Sequence, residues 1–210
     1  MKKVFLLLSL LTIFVFSFSQ NPITISMNNG WQFSEAAKNE WKEAIVPGSV
    51  QSDLIRLGVL PDPYYGTNEN LVQWPEEKDW DYKMSFNLTA EQLKSDEALL
   101  TLEGLDTHAD VFLNGARILQ TQNMFVGHKI PVKNSLRAGE NNLFIRFYSP
   151  VKRMEPARLT AGYEYPAGND HSDKKVSIFN RKAPYQFGWD WGIRIVQMGI
   201  WKPVSLQFYN

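Results

Sequence analysis

The residues best suited to chemistry gather late in the chain, and three in a row are the most informative: Trp189, Asp190 and Trp191, within Phe187-Gly188-Trp189-Asp190-Trp191-Gly192. Indole faces pack against the C–H side of a pyranose, while an ionised carboxylate accepts two hydroxyl hydrogen bonds, each contributing about 1.5–3 kcal/mol when charge-assisted. A carboxylate between two indoles, flanked by glycines, therefore suits sugar hydroxyls. The same triplet has a second reading, in which both indoles fill the core and Asp190 pairs with Arg181 or Arg194. Residue types alone leave both open.

Other chemistries find less support. His108, His128 and His171 stand far apart, none with a partner at the i+3 or i+4 spacing of a metal site, and each reads as a surface or hydrogen-bonded histidine. No G-x-S-x-G occurs, and Gly48-Ser49 reads as a helix start rather than a nucleophile. Glycoside hydrolysis needs two carboxyl groups, about 5–5.5 Å apart for retention or 6.5–9.5 Å for inversion. Glu155, Glu164, Asp170, Asp173 and Asp190 lie in a suitable region, yet no spacing among them singles out an acid and a nucleophile. The absence of cysteine removes thiolate metal sites, disulfides and thiol nucleophiles together.

The elements that must carry these residues are strands. Tyr82, Met84, Phe86 and Leu88 alternate with Lys83, Ser85 and Asn87. Leu143, Ile145 and Phe147 alternate with Phe144, Arg146 and Tyr148, and Val204, Leu206 and Phe208 with Ser205, Gln207 and Tyr209. Further strands are expected over residues 23–26, 31–34, 98–103, 109–113, 116–120 and 125–131, a pattern of short strands typical of an antiparallel sandwich. Asn114-Gly115 supplies the two positive φ angles of a type I′ hairpin, and residues 138–142 have the composition of a second turn. Helices are few: Ser49 caps one over residues 50–57, ended by Gly58, and a shorter one is expected over 90–94. Residues 150–188 lack alternation but are rich in Arg, Tyr, Gly and Pro, which favours an ordered, functional segment.

The 210 residues hold 22 Lys+Arg against 22 Asp+Glu, with 44% hydrophobic residues. That length and composition can bury a core and exclude a disordered chain. Balanced charge argues against nucleic-acid or anionic-membrane binding, each of which needs a basic surface. Lys2 and Lys3 precede an apolar run, Val4 to Phe18, ended by Ser17-Phe18-Ser19, so residues 1–19 read as a signal peptide leaving Gln20 as the new N-terminus. At about 15 residues the run is short for a spanning helix. The expectation is an exported protein, periplasmic or extracellular, with no membrane attachment after cleavage; Asn87-Leu88-Thr89 would be a glycosylation sequon only in a cell that glycosylates.

Motif order then points to a family. Pro47 to Leu54, Pro61-Asp62-Pro63-Tyr64-Tyr65-Gly66-Thr67-Asn68-Glu69-Asn70, Gln73-Trp74, Asp79 to Tyr82, Gly104-Leu105-Asp106-Thr107, Leu113-Asn114-Gly115, Asn123-Met124-Phe125, Arg181-Lys182-Ala183, the FGWDWG hexapeptide and Gly199 to Val204 occur in an order that resembles the N-terminal domain of β-mannosidases of glycoside hydrolase family 2. The resemblance covers nearly all of residues 20–210. It implies an all-β, antiparallel jelly-roll β-sandwich of galactose-binding-domain type, with one or two short helices. In that family a later (β/α)₈ barrel carries both catalytic glutamates, so this chain by itself is expected to be catalytically silent, needing no cofactor. The resemblance further implies a β-mannoside or manno-oligosaccharide substrate, with Asp190 binding its hydroxyls, Trp189 and Trp191 as walls, and Arg181 and Asn169 as lesser ligands. The family usually reads W-D-W-G-P-R; here Ile193 replaces the proline, which should loosen the loop. Two other readings stand beside this one: a free-standing carbohydrate-binding module, and a purely structural domain with core tryptophans.

Overall fold

The computed structural model describes residues 22–210, so the signal-peptide reading of residues 1–19 lies outside the described residues. Within them the strands form two antiparallel sheets. One sheet is ordered β1-β12-β5-β9, from β1 (Ile23–Ser26), β5 (Glu97–Leu102), β9 (His128–Pro131) and β12 (Val204–Tyr209). The other is ordered β3-β2-β4-β10-β7-β8, from β2 (Gln32–Glu35), β3 (Lys42–Glu43), β4 (Trp80–Leu88), β7 (His108–Leu113), β8 (Ala116–Gln122) and β10 (Gly139–Tyr148). A short pair, β6 (Leu105–Asp106) with β11 (Gly199–Ile200), stands apart from both. The protein is thus an all-β sandwich, as its alternating pattern implies.

The period-two stripes meet between the sheets. Tyr82, Met84 and Leu88 of β4, Leu143, Ile145 and Phe147 of β10, and Val204, Leu206 and Phe208 of β12 share one core cluster, with Trp31, Phe33, Leu100, Leu102 and Val111. Removing such side chains from water, at about 25 cal/mol per Å² of apolar surface, is the main force holding the sheets together. The Tyr82 ring sits edge-on to Phe147 at 5.4 Å and tilted against Phe33 at 5.9 Å. Its hydroxyl, however, is buried without a hydrogen-bond partner, and burial pushes its pKa well above the usual range.

Turn chemistry follows the sequence at one hairpin and departs at another. Asn114 and Gly115 both have positive φ, 52° and 85°, joining β7 to β8 as a type I′ turn requires. Residues 138–142, expected as a turn, instead begin β10 at Gly139, with Asn142 opposite Ser85. The fully buried Asn141 explains this. Its side chain donates to the Arg137 and Gly139 carbonyls and accepts from the Arg137 N–H and the Asn114 amide, so the turn closes earlier and the polar run is free to pair.

Helix α1 (Val50–Arg56) matches its expected range: Ser49 caps it, accepting from the Ser52 N–H in a capping box, and Gly58 takes φ 70°. Residues 90–94 form only a 3₁₀ turn, Gln92–Lys94. A second helix, α2 (Pro150–Thr160), lies inside the segment expected to be irregular. Pro150 occupies the first turn, where a missing N–H costs nothing, and Ser149 caps it by accepting from Lys152 at 3.0 Å. Pro156 inside the helix and a nearly all-polar surface hide it from any periodicity argument. Beneath it Val151, Val176, Phe187 and Val196 form a second, smaller core. No helix among the described residues is long and apolar enough to cross a membrane.

Two substitutions test this packing by chemical denaturation. Phe147→Ala should cost about 3–5 kcal/mol through cavity formation. Tyr82→Phe, which deletes the partnerless hydroxyl and keeps the ring, should instead raise stability by about 1 kcal/mol.

Candidate functional site

Asp190 and Trp191 are the two turn residues of a tight hairpin. The Trp189 N–H donates to the Gly192 carbonyl at 3.0 Å, and the Gly192 N–H returns to the Trp189 carbonyl at 3.2 Å. Both indoles face outward, Trp189 41% and Trp191 81% exposed. Asp190 is exposed too, and among the described residues no hydrogen bond or ion pair engages its carboxylate. The reading of two core tryptophans with an Asp190–arginine pair is therefore corrected. Arg194 has other carboxylates, and Arg181 is exposed, its main chain bridging to Asn123 and its carbonyl accepting from the Met124 N–H at 3.0 Å. Asn169 donates its amide to the Pro184 carbonyl at 2.8 Å and so braces the turn leading to the hairpin. No printed contact of the described residues joins Arg181 or Asn169 to the hairpin tip.

The arms of the hairpin are held from both sides. On the incoming arm Phe187 is fully buried in the smaller core, and Gly188 takes φ 108° directly against the His171 ring. A Cβ at Gly188 would lie 2.6 Å from His171 Nδ1, so only glycine fits this approach. On the outgoing arm the Arg194 N–H donates to Glu69 Oε1 at 2.7 Å, and Gln73 Nε2 donates to the Arg194 carbonyl at 2.7 Å. The Ile195 N–H donates to the Gln186 carbonyl at 2.9 Å. Ile193 is thus flanked by anchored residues, Gly192 and Arg194, which supply by contacts the restraint that proline would supply covalently.

Arg194 itself is buried. Its Nη1 donates to the Glu76 carboxylate and to Gln73 Oε1 at 2.7 Å, and Asp170 stands 3.6 Å from its Nε. Burial raises the Glu76 pKa, and the Arg194 charge partly opposes that shift. Asp170 also accepts from the Ser172 and Ser177 N–H groups, at 3.1 and 3.0 Å, which ties residues 170–177 to the same point. A second buried network lies behind: Lys182 Nζ donates to Asp106 at 2.8 Å, to Gln186 Oε1 at 2.5 Å and to the Gln197 carbonyl at 2.7 Å. Burial lowers the Lys182 pKa, with Asp106 opposing the shift. Gln51 of α1 completes the brace, donating to the Val196 carbonyl at 2.7 Å and accepting from the Met198 N–H at 3.2 Å.

The remaining candidates are structural. Glu155 pairs with Lys174 at 3.4 Å, while Glu164 and Asp173 are exposed. His108 Nε2 meets Asn180 Oδ1 at 2.9 Å in a buried contact, and His128 meets Thr121 at 3.2 Å. Among the described residues no group of three or more His, Asp or Glu side chains could hold a metal ion. The bracing residues Gln51, Gln73, Glu76, Asp106, Lys182 and Gln186 escape sequence reasoning about function, although Gln51, Gln73, Asp106 and Lys182 fall within the motif series. A polar residue in a turn gives no sign that it is buried.

A braced, outward-facing carboxylate on a β-sandwich defines a domain of the galactose-binding-like class, and comparison places it further. The family described as glycosyl hydrolase 2 galactose-binding domain-like matches residues 31–202, and the chain belongs to that family. It is 35% identical to beta-mannosidase B of Thermothelomyces thermophilus, covering 90% of this chain, and 37% identical to beta-mannosidase B of Aspergillus terreus, covering 88%. The crystal structure of a beta-D-mannosidase from Dictyoglomus thermophilum superposes with a TM-score of 0.84 at 40% identity, covering 90% of this chain and 23% of that one. The chain spans about 22% of the length of the two curated relatives.

Two predictions follow from the brace and its surroundings. Glu76→Gln leaves a buried guanidinium short of its main counter-charge and should cost about 3–5 kcal/mol, whereas Lys94→Ala at the exposed Glu91 pair should cost under about 1 kcal/mol; urea denaturation reads both. Burial holds the His108 imidazole below its usual pKa of 6.5. The unfolded chain therefore binds a proton that the folded chain refuses, and this contribution, present above pH 6.5, is lost as pH falls through the folded pKa. The Tm of the wild type should thus drop more between about pH 7.5 and 5.5 than that of His108→Gln, in which the amide can take over the bond to Asn180.

Proposed function

We propose that this chain is the substrate-contacting lead domain of a retaining exo-β-mannosidase that releases terminal, non-reducing β-D-mannose, with the catalytic glutamates carried by a barrel outside these 210 residues. One observation carries the reading: Asp190 is exposed and unengaged on a turn whose arms are anchored by buried groups. Its support is the 35–40% identity to proteins named as beta-mannosidases, and their far greater length.

The chemistry explains the division of labour. A retaining double displacement needs a nucleophile and a general acid/base about 5–5.5 Å apart. Asp190 belongs to neither role. As an anion it accepts hydroxyl hydrogen bonds from the terminal sugar, and any bond that strengthens as the ring flattens towards the oxocarbenium-like transition state lowers the barrier. Trp189 and Trp191 offer apolar faces to the sugar's C–H side, while Arg181 and Asn169 are lesser contributors. A turn braced beforehand needs no reordering when the sugar arrives, which preserves binding energy. Export is part of the same proposal: residues 1–19 direct the chain out of the cytoplasm and are removed, leaving a periplasmic or extracellular protein.

A second reading, a free-standing carbohydrate-binding module, draws on the 81% exposure of Trp191, an open stacking surface. Calorimetry with mannobiose separates the two. A partial subsite should bind only at millimolar levels or weaker, and micromolar binding would favour the module.

Two activity measurements test the main reading. The purified chain should release no p-nitrophenol from p-nitrophenyl β-mannoside above the buffer rate. In an enzyme that joins this domain to a barrel, Asp190→Ala should lower kcat/KM by on the order of 10²–10⁴, and a fall below about fivefold would mean that the hairpin does not grip the reacting sugar.

A further inference from the structure

Beside the hairpin lies a cavity of about 500 Å³ that the proposed role of Asp190 leaves unused. Glu69, Asn70 and Gln73 form one wall, His171 and Asp173 another, and the buried Arg194 lies among them. The cavity is continuous with the hairpin's mounting, because His171 is the ring on which Gly188 packs and Arg194 anchors the outgoing arm.

Much of the hydrogen-bonding capacity here is unspent. Glu69 commits Oε1 to the Arg194 N–H, while the Asn70 amide, the His171 imidazole and the Asp173 carboxylate engage no hydrogen bond or ion pair among the described residues. Arg194 gives an independent sign. Its side chain is 6% exposed, yet Nε and Nη2 lack any hydrogen-bond partner. Buried donors in native proteins are nearly always satisfied, so donors left open beside a cavity point to an occupant that brings oxygen atoms.

The lining chemistry narrows that occupant. Arg194 is already matched by Glu76, and the further carboxylates of Glu69 and Asp173 make the cavity hostile to phosphate or sulfate. No described group of side chains could hold a metal, and walls this polar offer little to an apolar ligand. What remains is a neutral molecule with several hydroxyls, donating to the carboxylates and accepting from Arg194 and Asn70. The volume falls within the usual range for small-ligand sites. We propose that this cavity is a second sugar subsite, taking the pyranose next to the unit that meets Asp190. The identity of the glycan rests on the reading of Asp190, whereas the existence of the subsite does not.

Titration of the ¹⁵N-labelled chain with β-1,4-mannobiose, followed by NMR, tests this. Saturable shifts are expected at the Asn70 and Gln73 side-chain amides and at the His171 backbone amide, with millimolar affinity. Asn70→Ala and Asp173→Ala, both at exposed positions, should each weaken that affinity on the order of tenfold. Inorganic phosphate should leave the same signals unmoved. Absence of saturable shifts at these groups, shifts that neither substitution alters, or an equal response to phosphate would overturn the proposal. The indole signals of Trp189 and Trp191 report separately: movement there with a silent cavity sinks the second subsite and keeps the Asp190 reading, while a responsive cavity with silent indoles does the reverse.

Discussion

Everything exposed at the hairpin depends on a charge that is not exposed. Arg194 is drawn under the surface by Glu76, Asp170 and Gln73, and its main chain is tied to Glu69 and Gln73. A buried ion pair gains little net stability, because desolvating both charges offsets most of their attraction. The raised pKa of Glu76 is that cost made visible. What the pair contributes instead is position: a guanidinium with a fixed fork has few ways to satisfy itself, and this one is satisfied only with residue 194 at one place against the 68–77 turns. Asp190 lies four residues upstream on a two-residue turn, so fixing Arg194 largely fixes Asp190.

The sandwich supplies the frame to which that clamp is bolted. Its two sheets enclose a single apolar core, and a smaller one around Phe187 underlies the segment leading into the hairpin. Between them the polar brace of Lys182, Asp106, Gln186 and Gln197 joins the β6 strand to that segment, and Gln51 joins α1 to residues 196–198. Polar networks of this kind are favourable only when satisfied, and they tolerate few alternative geometries. A region with little regular secondary structure thereby holds its shape, leaving Trp189, Asp190 and Trp191 free of internal duties.

Most of the sheet framework was legible in the sequence because one buried face forces a period of two. β1 and β12 match their expected bounds, and most other strands differ by one to a few residues at an end, where pairing and not hydrophobicity decides. Helix α2 was not legible: Pro150 and Pro156 read as breakers, and Val151 is nearly its only buried apolar side chain. At the hairpin the residue types named the candidate, but orientation was beyond them, since tryptophans fill cores as readily as they line sites. Only the exposure of both indoles and the pairing of Arg194 with Glu76 separated those readings. The brace itself was hidden because glutamine and glutamate in turns are usually solvated, and nothing local distinguishes those that are not.

The central claim is that the hairpin is held in place by the clamp on Arg194 and not by its own turn. Amide hydrogen exchange on Gln73→Ala tests it, because this change removes the side-chain bonds to the Arg194 carbonyl and Nη1 without removing a charge. The account predicts that the Trp189 and Gly192 amides exchange on the order of tenfold faster while those of β10 and β12 keep their protection. Unchanged exchange at the hairpin, or an equal loss across the sandwich, would contradict it.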